Sequence, residues 1–156
     1  MHALSMMTSK EMETSVAILR ESGRIDDSAT FHGCCIHEPP KAEVAAWNAG
    51  DPIDRRLDLV VRYEGEVYEA TVSVSRGEVD RWAMIPDVVP RVGFVELFKV
   101  MGAVTSDPGF QTALAKRGIS DASTMQIDPW PTGDYQLEFE NGRRVQRCIA
   151  FHRPTP

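Results

Sequence analysis

Four residues in one short stretch carry the side chains best suited to chemistry: His32, Cys34, Cys35 and His37. Imidazole nitrogens and thiolates are the usual ligands of zinc and related metals, which must converge on one point. Spacing argues against that use. In a strand, alternate residues face opposite ways, so Cys35 and His37 share one side and His32 and Cys34 the other. At most two of the four can reach one ion, and the sequence has no C-x-x-C. The four are read as part of a half-buried strand, with no metal site assigned. Gly102, Gly109 and Gly118 are too scattered for a phosphate loop, and Ser106-Asp107 lacks the strand–turn–helix setting of a serine nucleophile. Asp134, Glu138 and Glu140 read as solvated surface, and no pair of carboxylates is marked as acid and base. No catalytic residue is assigned.

Composition narrows the partners. The chain has 156 residues, 42% of them hydrophobic, as befits one ordinary domain or two small ones with a buried core. Seventeen Lys and Arg against 23 Asp and Glu give a net charge of −6, with basic residues clustered only at Arg143, Arg144 and Arg147. Tracking phosphates needs more positive charge, so nucleic acid is not expected as a partner. No apolar run approaches the roughly 18 residues of a membrane span, and the start lacks the pattern of a signal peptide. Three cysteines give no paired framework; reduced thiols and a cytoplasmic location are the expectation.

The elements repeat in order. Thr8-Ser9-Lys10-Glu11 has the form of a capping box, Met12, Val16 and Leu19 recur at helical spacing, and Gly23 supplies a stop. Phe31 to His37 reads as a strand closed by Pro39-Pro40. A brief helix from Lys41 carries Val44 and Trp47. Strands follow at Leu57–Tyr63, Val67–Val74 and Glu78–Ile85, separated by Glu64-Gly65 and Arg76-Gly77. Pro86 to Pro90 is a linker. Then Phe94, Leu97, Phe98, Met101 and Val104 mark an amphipathic helix, and Asp107-Pro108 caps a second one carrying Phe110 and Leu114 and ending at Gly118. Met125-Gln126-Ile127 leads into a turn-rich corner, Asp128 to Gly133. The alternating Tyr135–Phe139 and the return strand Val145–Phe151 predict a closing hairpin turned by Asn141-Gly142. Trp130, between two prolines, fits a core plug somewhat better than an exposed contact. The fold class is α+β: two small domains, 8–87 and 90–156, each a helix across an antiparallel sheet in a cystatin-like arrangement.

Several of these segments resemble one known family. His2-Ala3-Leu4-Ser5, Val16 to Arg20, His37-Glu38-Pro39-Pro40-Lys41 and Val44 to Trp47 are similar to the start of copper amine oxidases. So are Tyr68 to Ser73, Gly77-Glu78-Val79, Phe110 to Ile119, Asp128-Pro129-Trp130 and Gly142-Arg143-Arg144 to Phe151, in order and nearly end to end. The resemblance is to the second and third N-terminal domains, which precede a catalytic β-sandwich.

The resemblance implies an oxidase that turns primary amines into aldehydes, releasing hydrogen peroxide and ammonia, with copper and topaquinone as cofactors. The family's quinone tyrosine lies in an Asn-Tyr-(Asp or Glu) motif; here Asn48 and Asn141 precede Ala and Gly, and no His-x-His exists. The chain is therefore expected to hold neither cofactor, to lack the catalytic domain and to be inactive alone. That domain, missing or separately encoded, is the implied partner. Pro129 and Trp130 correspond to a segment lining the family's substrate channel, and Leu97 to a helix position often aromatic in the family. The expected role is an accessory, docking module at the channel. The alternatives are a free-standing helix-on-sheet binding protein, recognisable by a closed apolar cavity, or a gene relic without retained function.

Overall fold

A computed structural model of the chain describes residues 2, 4–133, 135–140 and 143–153. The backbone separates into two compact units, Met1–Arg91 and Val92–Pro156.

The first unit begins with α1 (Ser9–Glu21). Its Thr8 cap is reciprocal: Glu11 N–H donates to Thr8 Oγ1 at 3.2 Å, and Thr8 N–H donates to Glu11 Oε2 at 2.7 Å. Both bonds satisfy donors that have no partner in a first helical turn. After α1 come β1 (Thr30–Ile36), the short α2 (Lys41–Ala46), β2 (Arg56–Tyr63), β3 (Glu66–Ser73) and β4 (Glu78–Ile85). The strands form one antiparallel sheet in chain order. Glu64 and Gly65 both take left-handed backbone, φ 51° and 90°, which gives the β2–β3 hairpin the twist its strands need. Alternate residues Leu57, Leu59, Val61, Ala70 and Val72 are buried against Ile18 and Leu19 of α1.

An ion pair pins the helix start to the sheet side of this core. Arg55 Nε donates to Glu11 Oε1 at 2.8 Å, with the two side chains only 8% and 13% exposed. The hydrogen bond from Arg55 outweighs the opposing effect of burial and, with the Thr8 bonds, lowers the Glu11 pKa to about 2.

The second unit contains α3 (Phe94–Ser106), α4 (Pro108–Ala115), β5 (Met125–Pro131) and β6 (Gln146–His152). Asp107 caps α4 through a 2.7 Å bond from Phe110 N–H, with Pro108 in the first turn where no amide is needed. At the start of α3, Glu96 accepts the Gly93 N–H at 2.7 Å and a forked pair of bonds from Arg144 at 2.7 and 2.8 Å. The strands pair antiparallel from Met125 opposite His152 to Pro131 opposite Gln146, and α3 packs on β5. Each unit thus sets a helix against an antiparallel sheet, the α+β class expected.

Two expectations for the second unit do not hold. Residues 128–131 continue β5 as a strand instead of turning a corner. Proline tolerates an edge position whose missing N–H points away from the partner, and both strands of a two-stranded ribbon are edges. Tyr135–Phe139 forms no strand; a 3-10 turn occupies Glu138–Glu140, and β6 pairs with β5 instead. The Glu140 carboxylate accepts the N–H groups of Tyr135 and Leu137 at 3.0 and 3.1 Å, and these local bonds replace a ladder. The expected turn at Asn141-Gly142 lies outside the described residues.

Glu11 sets an acid-stability prediction. Its folded pKa of about 2 lies below the ordinary 4.5, so its contribution is complete above the unfolded value and vanishes as pH falls toward 2. Glu11→Gln should cost roughly 3 kcal/mol at pH 7, the scale for breaking a largely buried pair. Urea midpoints of the two proteins, apart at pH 7, should converge as pH approaches about 2.

Candidate functional site

The face of the first sheet turned away from α1 carries an open groove of about 620 Å³, lined in part by Cys35, His37, Asp58, Thr71 and Arg81. Strand alternation places these polar side chains opposite the Leu57–Leu59–Val61 face. His37 Nδ1 meets Asp58 Oδ2 at 2.9 Å, and the Thr71 hydroxyl donates to Asp58 Oδ1 at 2.7 Å. Asp58 is thereby held by Thr71 of β3 and by His37, the residue that follows β1. Its role was not legible in the sequence, where only its parity with Cys35 across the ladder would have marked it.

A β-bulge changes the expected grouping of the four His and Cys residues. The register slips between Phe31 and Gly33, so His32 is the extra residue and lines the groove with Cys35 and His37. The residue is 6% exposed and its ring is occupied at both nitrogens, Nδ1 by the Arg91 carbonyl at 2.8 Å and Nε2 by Thr30 Oγ1 at 3.1 Å. Cys34 turns to the core, its thiol 3.6 Å from Met7 Sδ. His2 lies edge-on against Trp47, and His152 sits exposed at the end of β6. Among the described residues no three His, Cys, Asp or Glu side chains converge to hold a metal ion. The histidines present therefore do not fit a three-histidine copper centre. No tyrosine follows an asparagine, so the quinone motif is absent from these 156 residues too.

The other candidates, Leu97, Pro129 and Trp130, belong to the second unit and do not share one face. Ile127, 3% exposed, marks the inner side of β5, and Pro129 has the same parity; Leu97 is half-buried on α3. Trp130 has the opposite parity and is 56% exposed, its indole N–H donating to Asp128 Oδ2 at 3.0 Å. The core-plug reading of Trp130 is thus wrong: a two-stranded ribbon with its inner side on α3 leaves the outer side open. Ile149 and Phe151, opposite Asp128 and Gln126, share that outer side with Trp130 and are also exposed.

Comparison with known proteins gives one consistent result. A family model described as the AGAO-like N2 domain matches residues 8–82, and one described as the copper amine oxidase N3 domain matches residues 95–156. A primary amine oxidase of Arthrobacter sp. (strain P1) is 32% identical over 155 residues, which cover 97% of this chain and 23% of the relative. The peroxisomal N-methylputrescine oxidase 1 of Nicotiana tabacum is 25% identical, over 97% of this chain and 24% of its own length. A crystal structure of a copper-containing benzylamine oxidase from Hansenula polymorpha has the same fold, with a TM-score of 0.81 at 17% identity over 100% of this chain and 26% of that one. The chain spans about a quarter of the length of the relatives it matches.

Thiol environments predict an order of modification. Burial raises the pKa values of Cys34 and Cys148, whereas Cys35 is exposed on the groove face. With a limiting aromatic disulfide reagent at mildly alkaline pH, Cys35 should react first, as read by peptide mass mapping.

Proposed function

Because the chain belongs to the copper amine oxidase family, as an N2-type domain followed by an N3-type domain, we propose that it is the docking and accessory module of a primary-amine oxidase. The observation that carries this reading is the exposed outer face of the β5–β6 ribbon, where Trp130, Ile149 and Phe151 are 56%, 41% and 49% exposed. Large apolar side chains aligned on one sheet face are suited to packing against another protein surface. The partner in this reading is the catalytic portion of a copper amine oxidase. That portion converts a primary amine to an aldehyde with release of hydrogen peroxide and ammonia, and in the family copper and topaquinone supply the oxidation.

In this reading Trp130 is the side chain that reaches the substrate entrance. Pro129 stiffens the strand that presents it, and Leu97 supports that strand from α3. An aromatic wall suits an entrance that admits amines, since small-molecule sites are mostly apolar with few polar anchors. The relatives' names span methylamine, N-methylputrescine, diamine and benzylamine oxidation, so the substrate is proposed at the level of primary amines. The rival reading, a ligand binder closed between helix and sheet, is not favoured by the groove described above. That groove is open and lies on the sheet face away from the helix.

The test is an assay of two polypeptides together. The chain mixed with the remaining three quarters of the Arthrobacter primary amine oxidase should release peroxide from methylamine several-fold faster than that portion alone. Trp130→Ala should lose most of the gain while leaving the chain's circular dichroism unchanged. No gain with both polypeptides folded would overturn the proposal.

A further inference from the structure

Burial is divided unequally between the two units. Among the described residues, nine apolar side chains of the first unit fall in the buried core and only two, Leu114 and Ile127, in the second. Exposure runs the other way. Of fourteen exposed large hydrophobic residues, nine belong to the second unit, including Phe94 at 74%, Phe98 at 57% and Tyr135 at 70%.

A unit of this size has little core to offset its chain entropy, and a two-stranded sheet is marginal by itself. Beyond the β5–β6 ladder and the packing of α3 on β5, what holds the second unit is largely polar: the Glu96–Arg144 pair, the Asp107 cap and the Glu140 bonds to Tyr135 and Leu137. The cap and the Glu140 bonds fix geometry but contribute little net stability in water, which leaves the forked Glu96–Arg144 pair as the strong polar contact.

We propose that the second unit becomes fully ordered only on docking, its exposed apolar side chains being one half of a core whose other half the partner carries. This rests on the docking reading above and adds to it that binding and folding are coupled. The partner is committed to one kind, the remaining polypeptide of a copper amine oxidase. The relatives that match 97% of this chain are about four to five times its length, so the same two domains occur there within a longer protein. Its docking face must be broad and apolar, because the side chains to be covered are aromatic and aliphatic. The first unit, with its own core, needs no such support.

Hydrogen exchange read by mass spectrometry tests this on the full 156-residue chain. Alone, amides of β2 and β3 should stay protected while those of α3, β5 and β6 exchange at least about a hundredfold faster. Adding the remaining three quarters of the Arthrobacter oxidase should slow exchange in the second unit at least tenfold and leave the first unit unchanged. A double variant, Phe94→Ser with Phe98→Ser, should leave the exchange of the free chain as it was and abolish the slowing. Equal protection of both units in the free chain would overturn the coupling while leaving the docking reading intact. Fast exchange in the second unit that the partner does not slow would overturn both.

Discussion

Helix α3 packs on β5, one strand of a two-stranded ribbon, and that narrow support governs the second unit. Strands lie about 4.8 Å apart, whereas a helix with its side chains is about 10 Å across. Leu97, Met101 and Val104 are half-buried toward the ribbon, and Phe94 and Phe98 stand beyond its reach, paired edge to face at 4.9 Å. The first unit shows the contrast. Four strands under α1 bury Leu19, Leu57, Val61 and Val72 completely or nearly so, and the buried Glu11–Arg55 pair fixes where the helix starts. One helix-on-sheet plan therefore yields one unit closed around its own core and one left open.

Polarity is distributed to match. The outer face of the first sheet is hydrogen-bonded among its own side chains, with His37, Asp58 and Thr71 in one chain of contacts and Arg81 paired to Glu69. Such a face is at rest in water. The outer face of the second ribbon instead presents Trp130, Ile149 and Phe151 as exposed apolar surface, with the Trp130 indole N–H held by Asp128. Within a family whose members carry these domains in longer chains, that asymmetry is what the proposed docking rests on.

Most of the fold was legible in the sequence because its signals are local. The Thr8–Glu11 box, the Asp107-Pro108 cap, the Glu64-Gly65 turn and the alternation of β2 and β3 each fix their element from a few neighbouring residues. The departures arose where tertiary context decides. Tyr135–Phe139 has strand alternation, but Glu140 captures its amides before any partner strand does. Pro129 and Pro131 signal a turn, yet a ribbon edge accommodates them in a strand. The bulge that moves His32 beside Cys35 and His37 has one mark in the sequence, Gly33 inside the strand, which by itself does not say which side chains move. Of the candidate site, Trp130 could be singled out from the sequence as a channel candidate, but its exposure depended on how many strands the second sheet would have.

The central claim is that the Trp130 face is covered by the catalytic portion of a copper amine oxidase. Fluorine NMR tests it most directly, with fluorotryptophan in place of Trp47, Trp82 and Trp130 and the residue-130 signal assigned through Trp130→Phe. Titration with the remaining three quarters of the Arthrobacter oxidase should shift the residue-130 signal and protect it from a soluble paramagnetic quencher, leaving the Trp82 signal where it was. A residue-130 signal that neither moves nor gains protection at saturating partner would contradict the claim.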